Sequence, residues 1–188
     1  GGSNEEQMRW AAQNGYTYAA FLTPYDVTRK IFDTYRKYSA EFGNTNVTQK
    51  LAYMGLCYVG ETDEKAREDA KALLWYLSGK VPNELWNPHG YIPAADALKA
   101  YRPNSFSFNK MSQLTFEQLE ELGLIMAGSP DTVIKKIKYL YERVGGLGNL
   151  ILMTQAGMLA PDKHKRSLEL LAKEVFPAVK DLDKEVMA

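Results

Sequence analysis

The sequence has few of the residues that build disulfides and metal sites. Cys57 is its single cysteine, so neither an intrachain disulfide nor a cysteine-based metal site can form. This cysteine lies in an apolar run, where a buried and unreactive thiol is expected. The 2 histidines, His89 and His164, are too few for a histidine metal site. We therefore expect no bound metal.

An excess of one charge and long apolar runs are also lacking. Lys and Arg total 23, as do Asp and Glu, so the formal net charge of zero gives no electrostatic reason to expect nucleic acid or a membrane surface as a partner. No apolar run approaches the roughly 18 residues of a membrane helix. No signal-peptide pattern is visible, and we expect a cytoplasmic protein. Hydrophobic residues make up 45% of the chain, which is enough for a packed core.

Short apolar runs alternate with amphipathic stretches along the chain. The runs 16–22, 49–60 and 149–157 predict three buried strands, and the stretches between them predict helices. This alternation is typical of a parallel sheet with crossover helices. Three strands are too few for a complete barrel, which takes about 250 residues. We therefore predict a single α/β domain over 1–188, the C-terminal part of a (β/α)8 TIM barrel whose N-terminal strands are missing.

Residues 79–122 interrupt the alternation with prolines, asparagines and aromatic residues in no clear period. Long irregular insertions in compact domains are usually lids or binding loops; a plain surface excursion or a dimer contact is the alternative. His89 in this segment is the catalytic candidate, because a histidine can transfer protons near neutral pH. An exposed loop histidine is the other interpretation. Tyr91 is a candidate for the wall of a substrate pocket, or for a small core within the insertion.

Two further substrate-pocket candidates follow the third predicted strand. Gln155 ends this strand, where TIM-barrel site residues lie. Gly157 comes just after it, and a glycine permits close approach to the backbone. His164 opens the last helix beside charged residues, and we expect it in solvent. The turn 128–130, Gly-Ser-Pro, begins a helix and is interpreted as a structural cap, because its proline removes one amide donor.

Four stretches together resemble the bacterial luciferase-like, flavin-dependent monooxygenases. They are, in chain order, GGSNEEQMRWAAQNGY, NPHGYIPA, AGSPDTVIKKI and HKRSLELLAKEVFPAVK. Their order and spacing cover nearly all of the 188 residues. The resemblance implies a TIM-barrel oxidoreductase that oxidises a small organic substrate with reduced FMN and dioxygen. It also implies a dimer or other homo-oligomer, and a flavin reductase as a possible partner.

Two other interpretations stay open beside the monooxygenase. One is a deazaflavin-dependent relative that transfers hydride without oxygen. The other is a truncated barrel fragment with no complete flavin site and no activity of its own. Yellow colour or flavin absorbance on adding FMN would distinguish a working site from such a fragment.

The start of the first helix is the cofactor-binding candidate. Ser3 and Glu6 fit a capping box, which places a serine at the N-cap and a glutamate three residues later. The amides of a first helical turn lack internal partners and lie at the positive end of the helix dipole. In the resembling family the corresponding turn contacts the flavin phosphate, which implies Gly2, Ser3 and Asn4 as phosphate-binding residues here. A capping box that binds no ligand is the alternative.

Overall fold

The computed structural model describes residues 4–77, 111, 113–155 and 158–182, and within them it shows an α/β fold with a 4-stranded parallel sheet. No helix in this described part is both long enough and apolar enough to span a bilayer. In chain order the helices and strands are α1 (Glu5–Gln13), β1 (Tyr18–Phe21), α2 (Tyr25–Glu41), β2 (Leu51–Val59), α3 (Asp63–Ala70), α4 (Leu74–Leu77), α5 (Phe116–Glu121), β3 (Ile125–Gly128), α6 (Pro130–Val144), β4 (Asn149–Met153), α7 (Pro161–Leu170) and α8 (Phe176–Val179).

Strand β2 is the centre of the sheet and pairs in parallel with the other three strands. The carbonyl of Met54 accepts from the N–H of Leu22 after β1, and the N–H of Leu56 donates to the residue before β3. The carbonyl of Leu51 accepts from the N–H of Gly148, just before β4. Because backbone groups of successive residues point to opposite edges of a strand, β1 and β3 follow each other along one edge of β2. Strand β4 lies along the other edge.

The three predicted strands are present, and the structure adds a fourth. Strand β3 is only 4 residues long, and the sequence analysis did not predict it. All of its residues are buried, and its backbone pairs with the second half of β2. An apolar run this short carries little periodicity, so only the pairing with β2 distinguishes it from a loop that leads into the next helix.

Two of the described helices begin at a threonine whose side chain caps them. The side chain of Thr62 accepts from the N–H of Lys65 at the start of α3. Thr115 and Gln118 form a complete capping box at the start of α5. Gly123 has a φ of 77°, a conformation that favours glycine.

Two apolar clusters hold the helices against the sheet. One joins α1, α2, α6 and α7 to the strands, with Phe32, Tyr35 and Leu140 among its fully buried side chains. The other joins α3, α4 and α5 to β2 and β3, with Leu73 and Leu119 among its buried side chains. Cys57 is buried, as expected, and this burial raises the pKa of its thiol to about 12.

The last helix contains one wider, π-helical turn. A π-helical segment, Leu171–Val175, connects α7 to α8. Pro177 has no N–H to give to the carbonyl four residues earlier, and its ring would clash with that carbonyl in a regular helix. The π segment accommodates this proline without ending the helix.

Candidate functional site at the carboxyl ends of the strands

The carboxyl ends of the four parallel strands meet at one edge of the sheet, and the loops that follow them carry polar residues. In TIM barrels the catalytic residues come from this edge and from its βα loops. The loop after β2 leads to Asp63, and the loop after β3 contains Ser129. Thr154 and Gln155 follow β4. These loops are where a bound ligand would lie.

The first helix begins one residue later than predicted. Asn4 is its N-cap, and the Asn4 Oδ1 accepts from the N–H of Gln7 at 3.1 Å. The predicted capping box of Ser3 and Glu6 is therefore wrong, because asparagine caps as well as serine and here lies next to the first helical residue. Gly2 and Ser3 lie outside the described residues. Of the three phosphate-binding candidates, the structure places Asn4 at the positive end of α1, where it is exposed.

The first turn of α1 carries two carboxylates that would repel an anion. The hydroxyl of Tyr38 donates to the Glu5 carboxylate, which holds this side chain against α2. The hydrogen bond to Glu5 also raises the pKa of Tyr38. Because the Tyr38 hydroxyl binds the Glu5 carboxylate, this carboxylate repels an anion at the start of α1 less strongly.

The second glycine–serine turn already holds an anion from the protein itself. The Asp63 carboxylate accepts from the Ser129 N–H at 2.6 Å and from the Thr132 hydroxyl at 3.0 Å. The hydrogen bond from the Ser129 N–H is the main cause of the lowered pKa of Asp63, and the bond from the Thr132 hydroxyl lowers it further. A Cβ on Gly128 would lie 2.5 Å from the Thr132 Cγ2, so the turn also requires glycine. Ser129 is the N-cap of α6 and Pro130 its first residue, as predicted, although the Ser129 side chain makes no capping hydrogen bond.

The carboxyl end of β4 brings Gln155 and His164 together. His164 was expected in solvent, but it is half-buried, and its Nε2 lies 3.0 Å from the Thr154 Oγ1. The expectation was wrong because the first turn of α7 folds back over the end of β4. The Gln155 Nε2 donates to the Leu159 carbonyl at 3.1 Å. Gln155 and His164 line the same open cavity of about 480 Å³, beside α7.

Helix α7 is held in this position by a buried hydrogen bond that the sequence did not predict. The hydroxyl oxygen of Ser167 accepts from the Val59 N–H, at the end of β2, at 2.8 Å. Both groups are buried, so no water competes for this bond. The bond joins residues 108 positions apart, and no local sequence pattern could have indicated it.

Two ion pairs extend this attachment along α7. Arg166 pairs with Glu61 at 2.9 Å, and Lys163 pairs with Asp69 at 2.5 Å. The bond from Arg166 lowers the pKa of Glu61, and the bond to Asp69 raises the pKa of Lys163. The Tyr58 hydroxyl donates a hydrogen bond to the same Asp69 carboxylate. Burial is the main cause of the raised pKa of Tyr58, and the charge of Asp69 raises it further. Together these contacts hold α7 against the sheet and place His164 at the carboxyl end of β4.

The other predicted site residues lie outside the described part of the chain. His89, Tyr91 and Gly157 all fall there, as does most of the insertion 79–122. Among the described residues, no group of three or more His, Cys, Asp and Glu side chains could hold a metal ion.

The sequence of this chain is similar to those of known monooxygenases. A sequence model described as luciferase-like monooxygenase matches residues 1–147. The chain is 26% identical over 185 residues to 2,5-diketocamphane 1,2-monooxygenase 2 of Pseudomonas putida, which covers 94% of this chain and 47% of that protein. The chain spans about half the length of this protein and of two other curated diketocamphane monooxygenases that it resembles.

Solved structures agree with the parallel sheet described above. One is the oxygenating constituent of 3,6-diketocamphane monooxygenase from Pseudomonas putida, a type II Baeyer-Villiger monooxygenase in complex with FMN (TM-score 0.63, 23% identity, 91% of this chain and 45% of that chain). Another is an F420-dependent secondary alcohol dehydrogenase (TM-score 0.61, 18% identity, 96% and 48%). The predicted fold class, a part of a (β/α)8 barrel, is confirmed. The chain belongs to the luciferase-like monooxygenase family.

Proposed function

We propose that this chain is part of a flavin-dependent monooxygenase that oxidises a small organic substrate with reduced FMN and dioxygen. The observation that carries the proposal is the set of polar groups at the carboxyl ends of parallel strands, in a chain of this family. The relatives named as diketocamphane and limonene monooxygenases support the same reaction class. The solved relative with FMN supports the cofactor.

The flavin phosphate is assigned to the start of α1, through Gly2, Ser3 and Asn4. Between the two glycine–serine turns of the chain, the one before α6 already binds the Asp63 carboxylate. The start of α1 has Asn4 as its cap among the described residues, and the first-turn amides lie at the positive end of the helix. When bound, FMN would supply the redox chemistry with dioxygen, and the chain would bind and orient it.

The substrate is assigned to the end of β4, where Gln155 and His164 line one cavity. His164, which is hydrogen-bonded to Thr154, lines this cavity. Leu168 and Ala172 add apolar surface to it, and Lys165, Glu169 and Lys173 add charged groups. Such a mixture suits a small organic substrate that has both apolar and polar groups. Gly157 is proposed as a close backbone contact beside Gln155.

The insertion 79–122 is proposed as a lid over this edge of the sheet. His89 is proposed as its proton-transferring residue and Tyr91 as part of the substrate wall. A lid that excludes water protects reactive flavin chemistry from solvent. Stopped-flow flavin absorbance with a His89→Ala variant tests the first role, and a changed apparent affinity for substrate with Tyr91→Ala tests the second.

A homo-oligomer in the cytoplasm, supplied with reduced flavin by a separate reductase, completes the proposal. The neutral net charge and the absence of a membrane-spanning helix in the described residues are compatible with this setting. Light scattering of the purified protein tests the oligomeric state. Oxygen consumption in the presence and absence of an added reductase tests the partner.

A deazaflavin-dependent hydride transfer is the second candidate function. The similarity to an F420-dependent alcohol dehydrogenase supports it at the level of the fold. Parallel titrations with FMN and with F420 separate the two, since the cofactor that binds more tightly identifies the chemistry. Oxygen uptake would occur only with the monooxygenase.

The phosphate assignment is tested at Asn4, where two substitutions keep the helix cap. Asn4→Asp keeps an N-cap oxygen and adds a negative charge, whereas Asn4→Ser keeps the cap without the charge. A like charge about 4 Å from a phosphate costs about 1 kcal/mol per unit charge even in water. We expect Asn4→Asp to weaken FMN binding roughly tenfold, with Asn4→Ser close to wild type.

Riboflavin, which lacks the phosphate, is the matched ligand for this experiment. Its affinity, measured by flavin fluorescence, should be the same in both variants. Equal loss of FMN and riboflavin binding in Asn4→Asp would show that the phosphate lies elsewhere. Failure of wild-type protein to bind either flavin would contradict the proposed function and favour the interpretation as a barrel fragment.

A further inference from the structure

A cavity of about 450 Å³ lies away from the carboxyl ends of the strands. Leu147 and Gly148, which precede β4, line it together with Leu150 and Leu152 of that strand. The second half of α6 and the end of the last helix form its other walls. It shares no described residue with the cavity assigned to the substrate. It is therefore a separate cavity, toward the amino end of β4.

The walls of this cavity are mainly apolar. Leucine, isoleucine, valine and phenylalanine residues make up most of the lining. Its volume falls within the roughly 300–1,000 Å³ of small-molecule sites. A water molecule takes up about 30 Å³ in the liquid, and a methylene group is of similar size, so the cavity has room for a chain of about ten carbon atoms. Each methylene group that such a cavity buries raises affinity roughly fourfold.

The π-helical segment borders this cavity directly. Its first and last residues, Leu171 and Val175, both line the cavity, as does the adjacent Phe176. The Phe176 side chain is 57% exposed, although it is large and apolar. Pro177 accounts for the wider turn, but π-helical turns are also frequent at functional sites. The exposed Phe176 ring therefore offers apolar surface to a ligand at the open side of the cavity.

Lys180 supplies a positive charge to the same cavity. It lies one helical turn after Phe176 and is the one charged residue of the lining in the part of the chain that the structure describes. Lys180 is exposed, and no described residue pairs with its ammonium group. Gln49 and Tyr141, the polar side chains of the lining, carry no charge. An apolar cavity with one unpaired cation suits a molecule that has an apolar chain and a single negative charge.

We propose that this cavity binds a free aliphatic carboxylic acid of about ten carbon atoms. The chain of the acid would lie between α6, β4 and the π-helical segment, with its carboxylate beside Lys180. Because Lys180 is exposed, the carboxylate would stay in contact with water, and binding would require no buried charge. The site is additional to the proposed oxidation of a substrate, and it does not depend on a bound flavin.

Decanoate and decanol are the matched probes for the charge, because they have the same chain length and only the first is an anion. Lys180→Glu reverses the charge at the cavity, and Lys135→Glu makes the same change at an exposed position of α6 outside both cavities. In calorimetric titrations we expect Lys180→Glu to weaken decanoate binding at least tenfold, since repulsion replaces attraction. Decanol binding should stay within twofold of wild type, and Lys135→Glu should bind both probes as the wild type does.

Chain length and a filled cavity test the apolar part of the proposal. Octanoate, which is two methylene groups shorter, should bind roughly tenfold more weakly than decanoate. Val179→Trp enlarges a half-buried lining residue and should weaken the binding of decanoate and decanol at least tenfold. Val27→Trp, on α2 and outside both cavities, is the control. Circular dichroism shows whether each variant folds, and should Val179→Trp not fold, octanoate and Lys180→Glu still decide the question.

Four results would overturn the proposal. The first is a wild-type chain that binds neither decanoate nor decanol saturably below the micelle concentration. The second is an equal loss of decanoate binding in the two glutamate variants. The third is a folded Val179→Trp variant that binds both probes like the wild type. The fourth is a dimer that decanoate converts to monomers in light scattering, which would make a second copy the occupant. Since no readout uses flavin, failure of the proposed function would leave these results unchanged.

Discussion

The hydrogen bond between Ser167 and Val59 provides the sharpest test of how the site is held. Ser167→Ala removes the acceptor and leaves the Val59 N–H buried without a partner. An orphaned buried amide costs about 1–3 kcal/mol of unfolding free energy. Both residues are buried (Ser167 0%, Val59 0% exposed), so water cannot replace the lost bond, and we expect a loss in the upper part of that range.

Ser39 is the matched control for this prediction. It is also a buried serine, but its hydroxyl has no hydrogen-bond partner among the described residues. Ser39→Ala therefore removes an unsatisfied polar group and should leave stability unchanged or slightly raised. Urea denaturation followed by circular dichroism measures both free energies. At this chain length a loss of about 2 kcal/mol corresponds to a fall in Tm of roughly 4–8 °C.

A second readout connects this bond to the site. Because Ser167 positions α7, its loss should also shift the amide resonances of His164 and Thr154, whereas Ser39→Ala should not. If Ser167→Ala and Ser39→Ala change the free energy of unfolding by the same amount, the bond to Val59 contributes nothing, and the argument that it positions α7 is wrong.

Three more predictions concern the cap of α6 and the buried thiol. Gly128→Ala should destabilise by about 1–3 kcal/mol in thermal unfolding, and adding Thr132→Ser should restore part of this, since it removes the methyl group that a new Cβ would meet. The lowered pKa of Asp63 means that its contribution to stability is present above the unfolded pKa of about 4 and is lost as pH falls through the folded value. Asp63→Asn should therefore flatten the stability profile at acid pH. Cys57 should react with a thiol reagent only at the rate of unfolding, and fast reaction in native protein would contradict its burial.

Local features of the site can be inferred from the sequence where one short segment decides them. The caps at Thr62 and Thr115 follow from side chains within three residues of the amides that they bind. The cap of α1 was assigned to Ser3 and not to Asn4, because both residues can cap and the sequence does not say where the backbone turns helical. Site geometry depended on longer contacts, since Asp63 meets Ser129 across 66 residues.

The sequence by itself determined the α/β class and three of the four strands that the structure describes, because apolar runs and helical stripes are written in consecutive residues. It also showed the resemblance to the family, which rests on four particular stretches and not on this periodicity. Only the tertiary structure decided that β3 is a strand, that Asp63 fills the turn before α6, and that His164 folds back onto Thr154. Each of these depends on a partner in another element, brought close by the pairing of β2 with its neighbours. A backbone amide or a histidine ring has no preferred partner until packing places one within hydrogen-bond distance.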